Sequence, residues 1–165
     1  MIISKNKMKK ILFVCSGNTC RSPMAENLLK FELKKNNITC YSVSSAGFSC
    51  FPGMNASNHA IEALFELGIT EIKNHKTKYL SQELLYDYDY IICMTSYIKN
   101  NIQINYPQYA GKLYTLKNLT GKISDEINSD ISDPFGGTIS EYTDCRNEIH
   151  KYILQIIEAI KKGEI

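Results

Sequence analysis

At 165 residues, 44% hydrophobic and 22% charged, the chain is long enough for one folded domain, 1–165, with its own core, and its composition gives no reason to invoke disorder. A formal net charge of +2, with no basic cluster interleaved with aromatics, excludes a case for nucleic acid. The longest apolar runs, 11–15 and 91–94, are too short for a membrane span or a signal-peptide core. The six cysteines are therefore expected as reduced thiols in a cytoplasmic protein.

The first eight residues, with Lys5 and Lys7, read as a flexible N-terminal extension. Residues 11–14, Ile-Leu-Phe-Val, predict a central parallel strand covered on both faces. Ser22 is placed to cap a helix and Pro23 to occupy its first position, with Met24, Ala25, Leu28, Leu29 and Leu33 recurring at helical spacing. Residues 39–47 predict a second strand. Ala60, Ile61, Leu64, Phe65 and Leu67 predict a helical face closed by Gly68. A short helix is expected after Ser81, a third strand at 90–94, a helix near 96–105 and a fourth strand at 112–116. Thr138 and Glu141 fit a capping box. The long helix behind it carries Ile149, Tyr152, Ile153, Ile156, Ile157 and Ile160 on one face, and ends at Lys161-Lys162-Gly163. Strands alternating with helices predict an α/β fold with a parallel sheet.

In such folds ligands bind at the carboxyl ends of the strands. Cys15 stands at the end of the first strand, ahead of Ser16-Gly17-Asn18-Thr19-Cys20-Arg21-Ser22. A loop of this kind can turn its N–H groups inward, and the following helix adds the positive end of its dipole. Gly17 is expected to supply a backbone conformation closed to other residues. Arg21 offers a planar fork for two oxygens of a phosphate-like anion. A sulfur among such donors is expected as the thiolate, the form that attacks. Taken singly, Cys15 could be a small buried hydrophobe and Gly17 a turn residue; jointly they point to an anion-binding nucleophile. His59, His75 and His150 are scattered, and Cys15 and Cys20 lack a second ligand pair, so neither a metal nor a cofactor is expected.

Residues 14–26, Val-Cys-Ser-Gly-Asn-Thr-Cys-Arg-Ser-Pro-Met-Ala-Glu, resemble the active-site loop of the low molecular weight protein tyrosine phosphatases. The resemblance continues through Ser-Ser-Ala-Gly at 44–47, His75, residues 90–94 and Asp-Pro-Phe-Gly-Gly at 133–137. It implies a three-layer fold with a central four-stranded parallel sheet flanked by helices, the phosphate-binding loop following the first strand. It also implies that Cys15 forms a phosphocysteine, that Arg21 and the amides of residues 16–22 hold the phosphoryl oxygens, and that Ser22 hydrogen-bonds the thiolate. Asn18, Ser45 and His75 would support the loop. Asp133 would protonate the leaving group and then activate water, a dual role that any two-step transfer requires of some group.

Two departures bear on specificity. Thr19 stands where tyrosine phosphatases of the family commonly carry Ile or Leu, and Phe135 is a single aromatic where they carry two. Both features are similar to the protein arginine phosphatase branch, with a tyrosine phosphatase as the alternative. A thioredoxin-coupled arsenate reductase would need two further cysteines close together, and Cys93 and Cys145 are far apart in sequence. A cysteine phosphocarrier would need neither Arg21 nor Asp133. The expected partners are phosphorylated proteins or peptides, met by a monomer. Cys20, five positions after Cys15, is expected either to give redox control by trapping the oxidised nucleophile as a disulfide or merely to pack under the loop.

Overall fold

The computed structural model describes residues 7–121 and 128–165; residues 1–6 of the expected extension lie outside them. The elements run β1 (Lys9–Cys15), α1 (Arg21–Lys35), β2 (Tyr41–Gly47), α2 (Asn58–Phe65), α3 (Gln82–Asp87), β3 (Tyr90–Cys93), α4 (Ser96–Asn105), β4 (Leu113–Thr115) and α5 (Ile139–Lys161). Two 3-10 turns, Glu71–Asn74 and Pro107–Lys112, had no counterpart in the sequence reading. The four strands form one parallel sheet in the order β2-β1-β3-β4, so β1 is central.

The alternation of side chains along a strand explains why β1 is apolar throughout. Ile11, Phe13 and Cys15 enter one buried cluster with Met24, Leu28 and Leu29 of α1 and Ile149, Ile153 and Ile156 of α5. Leu12 and Val14 enter a second cluster with Leu85 of α3 and Ile98 and Ile102 of α4. Helices therefore cover both faces of the sheet, which makes three layers. The register sets Cys15 opposite Gly47, so the loop after β1 and the chain leaving β2 emerge side by side.

Two local expectations need correction. Helix α1 begins at Arg21, behind Cys20, with no side-chain cap; Ser22 lies within the first turn and its hydroxyl is committed elsewhere. Pro23 is consequently third in the helix, still among the first-turn positions whose N–H has no intrahelical acceptor. On α2 the inward face is Ala60, Ala63 and Leu64, with Ile61 partly buried, while Phe65 and Leu67 are exposed because the helix closes there. Gly68 makes that closure in the left-handed region, at φ +76.

Helix α5 starts as its pattern requires. The Thr138 hydroxyl accepts from the Glu141 N–H, and the Glu141 carboxylate accepts from the Thr138 N–H. The start of this long helix also fixes the exit of the segment carrying Asp133. Thr138→Ala should lower the unfolding free energy by about 1 kcal/mol, read as a shift of the urea midpoint at unchanged slope. An unshifted midpoint would show that the cap is not a stabilising contact.

Candidate active site

The chain leaves β1 at Cys15 and curls through residues 16–20 before α1 begins. Its carbonyls are taken by N–H groups from outside the loop. The Cys15 carbonyl accepts from Phe48 N–H at 2.8 Å, that of Ser16 from Ser49 at 2.9 Å, and that of Thr19 from Ser57 at 2.9 Å. With those acceptors engaged outside, the loop is free to turn N–H groups toward the sulfur. The Asn18 N–H illustrates this, donating to Cys15 Sγ at 3.3 Å.

Asn18 is fully buried and holds the curl. It occupies the left-handed region at φ 56, a conformation short polar side chains tolerate, whereas Gly17 does not take the special conformation expected of it. Asn18 Nδ2 donates to Ser22 Oγ at 2.9 Å and to Ser45 Oγ at 3.0 Å, while its Oδ1 accepts from the Lys78 N–H at 2.9 Å. Its carbonyl accepts from His75 Nε2 at 2.7 Å. The Ser45 hydroxyl donates to Glu26 Oε2 at 2.5 Å. Ser22 Oγ, already an acceptor from Asn18, has its proton free for Cys15 Sγ at 2.9 Å. The sulfur, itself buried, thus lies between two donors aimed at it.

Burial pushes the His75 imidazole below its ordinary pKa, opposed by its hydrogen bond to Asn18. A neutral ring with its proton on Nε2 satisfies the carbonyl. Cys20 turns its thiol toward the Tyr142 hydroxyl at 3.1 Å and donates to Ser57 Oγ at 3.4 Å, so its side chain props the loop against α5. Burial first, then the contact with Cys20, pushes the Tyr142 phenol up to about 12.

Arg21, buried in the first turn of α1, donates through one terminal nitrogen to the Ile131 carbonyl at 2.9 Å and through the other to Asp133 Oδ2 at 3.0 Å. Its Nε is buried with no partner among the described residues. Asp133 is half exposed, and its Oδ1 accepts from the Phe135 N–H at 3.2 Å. The cavity above Cys15 measures about 220 Å³ and brings loop residues 15–17 and 19–21 together with Ser49, Asp133 and Phe135. All the residues singled out in the sequence thus meet at one place: those of the loop, Ser45 and His75 behind it, and Asp133 and Phe135 at its mouth.

Ser49, Ser57, Tyr142 and the Lys78 N–H are parts of the site that the sequence reading did not name. Glu26 lay inside the quoted segment, and its place four residues along α1 from Ser22 was the available signal for it. The others reach the loop through backbone groups or tertiary packing, which leave no mark in spacing. Among the described residues, no cluster of three or more His, Cys, Asp or Glu side chains is placed to hold a metal ion, and no helix is long and apolar enough to cross a membrane.

The family model described as low molecular weight phosphotyrosine protein phosphatase matches residues 10–164. The chain belongs to that family. A protein-arginine-phosphatase of Bacillus subtilis is 39% identical over 92% of this chain and 97% of that protein. The low molecular weight protein-tyrosine-phosphatase PtpB of Staphylococcus haemolyticus is 34% identical over 81% of this chain and 86% of that protein. Among solved structures, a mutant of the YwlE arginine phosphatase with a phosphorylated active-site serine superposes with a TM-score of 0.85 at 37% identity, over 93% of this chain and 96% of that one. The protein is a cysteine-dependent phosphatase.

The His75 environment gives this phosphatase a pH signature. Its folded pKa lies below the ordinary value of about 6.5, so the unfolded chain takes up the proton more readily. The stability His75 contributes is therefore complete above about pH 6.5 and is lost as pH falls below it. His75→Gln keeps an N–H donor and removes the titration. The wild type should lose more unfolding free energy than the variant between pH 7 and pH 5, measured by urea denaturation. Parallel curves would contradict the neutral, donating His75.

Proposed function

We propose that this phosphatase hydrolyses phosphoarginine in proteins or peptides, by two in-line displacements at Cys15. In the first, Cys15 Sγ attacks phosphorus while the leaving nitrogen takes a proton from Asp133. In the second, Asp133 removes a proton from water, which attacks the phosphocysteine and releases phosphate and the thiolate. The Ser22 hydroxyl, 2.9 Å from the sulfur, supports this second step by stabilising the departing thiolate. Arg21 and the loop amides of residues 16–22 carry the equatorial oxygens, a fixed positive field that needs no reorganisation during reaction. The unpartnered Arg21 Nε is the donor that such an anion would take up. A phosphoryl dianion competes with the Asp133 carboxylate for the guanidinium and frees a carboxyl oxygen for the leaving group. The phosphorylated active-site serine of the YwlE mutant supports a covalent phosphoenzyme at the equivalent step.

The observation that carries the arginine reading is the composition of the cavity mouth. Its lining includes the small polar residues Thr19 and Ser49 and the acidic Asp133, and Phe135 is the one aromatic residue among them. A guanidinium is a planar array of N–H donors and needs acceptors around it. A phenyl ring gains from apolar walls, and Phe135, strongly exposed, offers one. The relative named as a protein-arginine-phosphatase adds weight to the first reading, and PtpB keeps the tyrosine reading as the alternative. The same reading is of a monomeric, cytoplasmic enzyme meeting its substrates one protein at a time.

The deciding measurement is kcat/KM on a phosphoarginine and a phosphotyrosine peptide for the wild type and Thr19→Ile. The native ratio should favour phosphoarginine, and the variant's should fall by roughly 10–200-fold, as expected for a shape change at a pocket wall. A native preference for phosphotyrosine, unmoved by the substitution, would put the tyrosine reading in its place. Cys15→Ser should abolish turnover of both peptides.

A further inference from the structure

We propose that Asp130 is the positioning residue of the general acid: its carboxylate ties the segment carrying Asp133 to the start of α4. The inference rests on the reading of Asp133 as the proton donor. Asp130 Oδ1 accepts from both the backbone N–H and the hydroxyl of Ser96, at 2.7 and 3.0 Å. Helix α4 does not depend on Asp130 for its cap. The Thr95 hydroxyl already accepts from the Ile98 N–H at 3.3 Å. The bonds from Ser96 therefore act on the segment, with the helix dipole favouring a carboxylate at that end.

The neighbouring contacts show what is being held. The Ile131 N–H donates to the Met94 carbonyl at 2.8 Å, continuing the line of β3, and the Ile131 carbonyl accepts from Arg21. Downstream, the Gly137 N–H donates to the Pro134 carbonyl at 2.8 Å in the turn that enters α5. Between these two anchored ends the Ser132 carbonyl accepts from the Cys145 thiol of α5 at 3.6 Å, and Asp133 follows it directly. Asp133 is half exposed, so packing does little to aim it. Its carboxylate touches Arg21 and the Phe135 N–H, and the proposed mechanism turns Arg21 toward the phosphoryl group. What then fixes the acid is the backbone; upstream, that backbone is held by the buried Ile131 and by the carboxylate of Asp130. Asp130 is exposed, so removing its carboxylate leaves the core intact.

A misplaced acid slows only reactions whose leaving group needs a proton. The experiment compares kcat/KM on phenyl phosphate, a poor leaving group, with that on 2,4-dinitrophenyl phosphate, which departs without a proton, for the wild type, Asp130→Ala, Asp130→Asn and Asp133→Ala. Asp130→Ala should lose about tenfold or more on phenyl phosphate and less than about twofold on the activated ester, with inhibition by inorganic phosphate unchanged. Asp130→Asn retains an acceptor oxygen for the Ser96 N–H and should recover most of the loss. Helix stabilisation alone would move both substrates equally and would not yield this split. Equal losses on both esters, or no loss where Asp133→Ala shows the selective one, would overturn the positioning role alone. If Asp133→Ala itself shows no selectivity, the proton-donor reading falls and takes this inference with it.

Discussion

The loop around Cys15 depends on one buried asparagine. Asn18 bends the chain through a left-handed residue and spends every polar group it has within the site: its N–H on the sulfur, its amide protons on Ser22 and Ser45, its amide oxygen on Lys78 and its carbonyl on His75. A net hydrogen bond is worth only about 1 kcal/mol, but a buried partner left unpaired costs about 1–3 kcal/mol, so the set resists piecemeal loss. With the curl fixed in advance, the enzyme does not have to order its donors when an anion arrives. The same bonds decide which way Ser22 Oγ offers its proton, and so tie loop shape to the surroundings of the Cys15 sulfur.

The remaining machinery is brought to that loop by the sheet. Parallel pairing of β1 with β2 and β3 delivers three chain exits to one edge, and two of them serve the loop directly. From β2, Gly47 runs so close that an added Cβ would stand 2.5 Å from Cys50 Sγ and 3.0 Å from the Ser16 carbonyl, an approach only glycine permits. From β3, Met94 receives the segment of Ile131, which places Asp133 beside an arginine 112 residues earlier in the chain. Helix α5 supports the loop from below through Tyr142. Preorganisation here is a property of the whole three-layer packing, focused through one turn of backbone.

What could be read from the sequence was what local chemistry specifies. The apolar run 11–14 predicted a doubly covered strand, and the Thr138–Glu141 box announced α5 because both halves of the cap lie in one short segment. The helix expected near 96–105 is α4, though its cap at Thr95 was not read from the sequence. Ser22 shows where local chemistry misleads: a serine before a proline satisfies the capping pattern, but the nearby sulfur and Asn18 claim its hydroxyl. Gly17 was credited with the strained conformation because glycine adopts it most easily, and the polar contacts of Asn18 outweighed that preference. The Lys78 N–H and the Ile131 carbonyl are backbone groups, to which any residue would give the same name, so only the fold could reveal them. The resemblance at 14–26, 44–47, His75 and 133–137 supplied the proposed roles of Cys15, Arg21 and Asp133; it carried nothing about Asp130.

The central claim is that the Asn18 side chain, rather than its backbone conformation alone, holds the anion site ready. Glycine at that position can still adopt the left-handed conformation but has no side chain to make those bonds. Calorimetric titration of inorganic phosphate into Cys15→Ser and into the double variant Cys15→Ser/Asn18→Gly separates the two contributions without turnover. The account predicts that phosphate affinity falls at least about tenfold in the double variant, corresponding to the loss of about 1.4 kcal/mol or more. Equal affinity in the two proteins would contradict it and return the shape of the loop to its backbone.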